Sequence, residues 1–229
     1  MNRKYQGADG ESGLVIRRAT CQDVDDLTKI GRLCFPDWLR WRGPKFHTRK
    51  WWRAFLDTEY CEAWVCLSDG QVIGFFTLVP DGAQFVEALR RHRPGLLAAF
   101  YIFATCPRLF IRKALQKLKV SGTESLRKLV RSPSNDDEIH ASDGSRRLSD
   151  SQIPWMGSAA VVPSMQGHGV GTEMYKFCLQ RAIELGYREI RASVERGNTR
   201  SMGLLRKLGY VMTHEGQHMV FYRKSLTGE

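Results

Sequence analysis

No two of the six cysteines in this 229-residue chain form a CxxC pair; Cys21, Cys34, Cys61, Cys66, Cys106 and Cys178 are scattered. That spacing argues against a zinc ribbon or a dithiol redox motif. It fits reduced, mostly buried thiols in a reducing compartment. No stretch reaches the roughly 18 apolar residues that a membrane-spanning helix needs. The first residues, MNRKYQGADGESG, are polar and lack the apolar core of a secretory signal. A cytoplasmic protein is the expectation. No internal repeat is present, and no His/Cys spacing suggests a metal site. The length and the 42% hydrophobic content suffice for one well-filled domain, with or without an insertion.

Acidic residues are scarce in one segment. The net charge is +11, and residues 85–131 hold eleven Lys/Arg against Glu87 and Glu124, so that segment accounts for nine of the eleven charges. A block of this kind is either a solvated helical face or a surface for an anionic partner. No nucleic-acid motif accompanies it, so specific nucleic-acid binding is not expected.

Residues 14–18 alternate like a strand. T-C-Q-D from Thr20 resembles a capping box and opens a helix with Val24, Leu27, Ile30 and Leu33 or Cys34 on one face, ended by Pro36. Thr48 would cap a second helix bearing Trp51, Trp52, Phe55 and Leu56. Two apolar runs, 63–67 and 72–79, flank Asp69-Gly70, a strong hairpin signal. Residues 81–131 read as two or three helices. Residues 132–151 are Ser/Asp-rich and loop-like. An apolar strand over 153–162 follows. Then come a helix with Val170, Met174, Phe177, Cys178, Ala182 and Leu185 on one face, stopped at Gly186, and a strand over 190–194. A short helix closed by Gly209 and two final strands, 210–213 and 219–222, complete the order. The pattern implies a mixed α/β (α+β) domain spanning the whole chain, with a helical basic insertion between the third and fourth strands.

Within VVPSMQGHGVGTEM, glycines stand at 167, 169 and 171, just where the helix begins. Uncapped N–H groups at a helix start attract anions, and glycine lets a ligand approach the backbone. A phosphate-binding P-loop needs Lys after its last glycine, but Thr172 follows Gly171. The dinucleotide fingerprint needs a third glycine where Thr172 stands. Gln166-x-x-Gly169-x-Gly171, three residues after Val161-x-Pro163, resembles instead the acetyl-CoA loop of the GNAT N-acetyltransferase family. Asn198, Ser201, Leu204 and Leu208-Gly209-Tyr210 are similar to that family's second motif, one helix and one strand downstream.

The resemblance implies a GNAT-like, mainly antiparallel sheet flanked by helices. It also implies an enzyme that moves the acetyl group of acetyl-CoA to an amine, with no metal. The pyrophosphate would lie on Gly167, His168, Gly169, Val170, Gly171 and Thr172, with Val161, Gln166 and Asn198 also at the cosubstrate. The strand before the loop, around Ala160–Val162, would supply an oxyanion-binding N–H. Two family features are missing: the phenol position falls on Leu205, and an acidic position early in that strand falls on about Trp155. Glu195 and Ser158 are the candidate catalytic residues. Tyr175 and Tyr210 are read as packing.

The acceptor stays open; a small-molecule amine or amino sugar is favoured over a protein. A non-catalytic CoA-binding module and an acyltransferase with a longer donor are the alternatives. Residues 90–119, apolar with basic flanks, fit either a lid over the acceptor side or a peripheral membrane contact.

Overall fold

The computed structural model describes residues 3–4, 13–35, 45–82, 84–85 and 153–226. Among the described residues eight strands make one sheet: β1 (Arg3–Lys4), β2 (Val15–Arg18), β3 (Glu62–Ser68), β4 (Gln71–Val79), β5 (Trp155–Val161), β6 (Glu189–Glu195), β7 (Val211–Glu215) and β8 (Met219–Ser225). Their spatial order is β1-β2-β3-β4-β5-β6-β8-β7. Every neighbouring pair is antiparallel except β5–β6. The mainly antiparallel α/β architecture is as expected. The edge strand β1 is an addition; at two residues it is too short to leave a pattern. The basic helices and the polar loop between β4 and β5 fall almost wholly outside the described residues, as do residues 90–119. Among the described residues no helix is long and apolar enough to cross a membrane.

Helices cover both faces. The helices α1 (Val24–Cys34) and α2 (Lys45–Leu56) lie on one face, and α3 (Val170–Glu184) and α4 (Thr199–Lys207) on the other. Strand alternation explains the division. Val65 and Phe75 point to the α1/α2 side with Leu27, Trp52 and Phe55; Trp64 and Phe76 point to the α3/α4 side with Met174 and Phe177. Trp52 meets Phe55 and Phe75 edge to face, with centroids 5.4 and 5.2 Å away.

The Thr20 capping box forms as expected. Asp23 accepts from the Thr20 amide at 2.7 Å and pairs with Arg17 through two hydrogen bonds of 2.7 and 2.8 Å. The Asp69-Gly70 turn also forms, with φ of 50° and 77°. Three assignments need correction. Leu185 is exposed rather than on the packed face, because it lies beyond the last turn of α3. Of Leu33 or Cys34, Cys34 packs with Leu27 and Ile30 and Leu33 is exposed. The helix α2 starts at Lys45, not Thr48, and Thr48 is buried within it. The strand β7 starts after Tyr210, whose ring is core.

One ion pair ties α3 to the sheet. Arg181 donates Nε to Glu62 Oε2 at 3.0 Å and Nη2 to Oε1 at 2.7 Å, and Trp64 Nε1 donates to Oε2 at 3.2 Å. Burial alone would push the Glu62 carboxyl up. The Arg181 hydrogen bonds and charge, with Arg18 and Trp64, outweigh it and hold Glu62 below its ordinary value.

Candidate active site

The site begins with an irregularity in β5. Opposite β4, Ala159 pairs with Phe76 and Met156 with Leu78. Gly157 and Ser158 therefore share the space facing Thr77, which is a β-bulge with its extra residue on β5. The bulge reverses the alternation: Met156 packs toward α3/α4 but Ala160 toward α1/α2, although an even step along the strand separates them. Only glycine fits at 157, because a Cβ there would meet Thr77 Oγ1 at 2.4 Å.

Pairing with β6 stops where the bulge begins. The parallel register holds at Trp155–Arg191 and Met156–Ala192, while β5 continues to Val161 and β6 to Glu195. The two strands separate, leaving an opening within the sheet. Val162 N–H donates to Ile73 O on β4 at 2.9 Å. Backbone amides alternate along a strand, so the neighbouring Val161 N–H points the other way, into the opening. Of the expected Ala160–Val162 region, Val161 is thus the residue whose backbone faces it. Its carbonyl, on the same edge, accepts from Gln166 Nε2 at 3.0 Å and from Cys34 Sγ at 3.3 Å. Burial pushes the Cys34 thiol up.

The loop then turns through Pro163–Met165 and reaches α3. Gly167 and Gly169 have φ of 88° and 81°, left-handed values that glycine adopts without strain. Gly169 caps the helix and has no side chain to do so. The first helical hydrogen bond is Glu173 N–H to Gly169 O, so the N–H groups of Val170, Gly171 and Thr172 have no partner within α3. They converge at the positive end of the helix dipole. Gln166, Gly167, His168 and Gly169 are exposed, and Thr172 is half-buried. The Val170 side chain is buried in the core, so only its backbone can face a ligand. A Cβ on Gly171 would touch Leu204 Cδ2 at 3.6 Å, an ordinary contact that marks how closely α3 approaches α4.

Gln166 and Asn198 do more for the protein than their motif positions suggest. Besides its bond to Val161, Gln166 accepts from Arg200 Nη1 at 3.2 Å. Asn198 caps α4, its Oδ1 accepting from Ser201 N–H at 3.1 Å, and its own N–H donates to Glu195 O at 2.9 Å. Glu195 is exposed at the open end of β6. Ser158 sits half-buried in the bulge, its carbonyl accepting from Thr77 Oγ1 at 3.4 Å. Glu195 and Ser158 thus lie on opposite sides of the opening. Leu205 is fully buried and belongs to the core. Tyr175 and Tyr210 pack edge to face with centroids 6.3 Å apart, and burial pushes both phenols up. Among the described residues no group of three His, Cys, Asp or Glu side chains gathers as for a metal.

Three features were missed from the sequence: the Gly157–Thr77 bulge, the Cys34 contact and Arg200. The bulge and the contact depend on the pairing of β5 with β4 and on the docking of α1. Only Arg200 left a sequence trace, as a cation in the first turn of α4.

Residues 134–210 match the family model described as the acetyltransferase (GNAT) family. No curated protein matches the chain in sequence. Among solved structures, an N-acetyltransferase from Staphylococcus aureus Mu50 superposes with a TM-score of 0.55 at 15% identity, covering 94% of this chain and 100% of that one. A polyamine N-acetyltransferase from Drosophila melanogaster, described as forming N-acetylagmatine, gives 0.55 at 15%, covering 93% and 99%. A protein from Salmonella typhimurium, solved with its cofactor acetyl-CoA, gives 0.53 at 16%, covering 94% and 95%. At these identities the structures share the fold with this chain. In sequence the likeness to the acetyltransferase (GNAT) family lies in residues 134–210, about a third of the chain.

Proposed function

We propose that this chain transfers the acetyl group of acetyl-CoA to a primary amine of a small-molecule acceptor, by direct attack of the amine on the thioester. The observation that carries the reading is the Val161 backbone facing the opening between β5 and β6, next to the uncapped start of α3. The two features suit the two ends of one cosubstrate. The N–H groups of Val170, Gly171 and Thr172, with Gly167 and Gly169 beside them, suit a pyrophosphate. An extended pantetheine arm from there reaches the opening, where the Val161 N–H donates to the thioester oxygen as it gains negative charge.

The acceptor must attack as a free amine. Glu195, exposed at the open end of β6, takes its proton, directly or through a water. The proton lost by the nitrogen equals the one gained by the departing thiolate, so the products are an amide and a thiol. Leu205 supplies no proton, and solvent at the open end of the site delivers it instead. Ser158 acts through its place in the bulge.

Thiol release from acetyl-CoA, followed with a panel of polyamines, amino sugars and amino acids, tests the reading. Release that requires one amine class, and falls at least tenfold in Glu195→Gln, is the expected result. Acetyl-CoA binding with no release for any amine would favour a CoA-binding module without catalysis. Faster release from longer acyl-CoAs would move the donor assignment.

A further inference from the structure

We infer that Arg200 is the cation that grips the cosubstrate's phosphates, and that Gln166 is the strut that aims it. This rests on the acetyl-CoA reading of the glycine loop. Arg200 is in the first turn of α4, where a positive side chain works against the helix dipole. An anion close by would remove that conflict. The guanidinium reaches out of its own helix to the glycine loop and donates Nη1 to Gln166 Oε1. Among the described residues no carboxylate pairs with it, and a guanidinium has further N–H donors to offer.

Gln166 is exposed, yet its amide is used in both directions. Its nitrogen donates to Val161 O and its oxygen accepts from Arg200. The side chain therefore joins β5, the loop and α4. Leu204, one turn along α4, lies beside Gly171 at the start of α3, so the two helices meet at the same place. The Arg200 guanidinium is held at the glycine loop by Gln166, four residues before Val170 opens α3. Arg200 thus acts on the phosphates directly, whereas Gln166 acts through Arg200 and Val161.

Two acetyl donors separate this role from a structural one: acetyl-CoA, and S-acetylpantetheine, which lacks the phosphates. Arg200→Ala should raise KM for acetyl-CoA about tenfold, leave kcat nearly unchanged, and leave kcat/KM for S-acetylpantetheine as in the wild type. Arg200→Lys, which keeps the charge, should recover part of the loss. Gln166→Leu should raise KM for acetyl-CoA and also lower kcat with both donors, because the Val161 carbonyl loses a partner. Equal losses with both donors in Arg200→Ala, or no loss with either, would overturn the inference. If the wild-type protein itself fails to bind acetyl-CoA, the functional reading falls first.

Discussion

Replacing Gly157 by alanine tests whether the bulge builds the site. The added Cβ would lie 2.4 Å from Thr77 Oγ1, nearly an ångström inside normal contact. Thr77 is buried in the middle of β4, between strands on both sides, so it cannot swing away. Overpacking of this kind costs about 1–3 kcal/mol. For a domain of this size each kcal/mol lowers Tm by about 2–4 °C, so a drop of about 2–12 °C is expected. Relief by flattening the bulge would shift the register of β5, turning Ala159–Val161 to the wrong faces and closing the opening. Acetyl transfer should therefore fall further than stability alone explains. Thr77→Ala in the same chain removes the obstructing atom and should restore most of the Tm. Thr77→Val keeps an atom in that place and should not. Differential scanning calorimetry and thiol-release rates on the four proteins read this out. An unchanged Tm in Gly157→Ala, or equal rescue by alanine and valine at 77, would refute the argument.

Leu205→Tyr should destabilise the protein by about 1–3 kcal/mol with no gain in turnover, since the site is closed core; a faster enzyme would show that the position faces the thioester. Arg181→Ala leaves the buried Glu62 carboxylate without its main partner, at a cost of about 1–3 kcal/mol near neutral pH after discounting for the partly exposed guanidinium. In the wild type the lowered Glu62 value gives stability that is present above the ordinary carboxylate range and lost as pH falls through the folded value. In Arg181→Ala burial dominates, so the gap in Tm from wild type should narrow from pH 7 to pH 4; a constant gap would contradict this. Gly169→Asp puts a carboxylate where an anion is expected and forces a side chain into a left-handed position. Acetyl-CoA affinity by calorimetry should fall more than tenfold, and unchanged affinity would remove the loop from the site.

Periodicity and turn chemistry made most of the elements legible in the sequence. Val24, Leu27 and Ile30 recur at helical spacing, Asp69-Gly70 marks its hairpin, and Thr20 with Asp23 marks a helix start. These signals lie within a few residues of one another and need no knowledge of the rest of the chain. The conformation of the glycine loop was legible for the same reason: Gly167 and Gly169 take left-handed angles that few other residues adopt. The opening beside β5 was not. The bulge depends on Gly157 meeting Thr77, which is 80 residues away in sequence. The Val161 backbone carries no residue-type signal; its direction follows from pairing with β4 and separation from β6. Gln166 looked like a phosphate donor by position, yet its amide is used between β5 and α4. Leu205 stood at a position where relatives place a phenol, and only its complete burial showed it to be core. Local sequence set the backbone conformations, and the pairing of distant strands decided which groups came to face the opening.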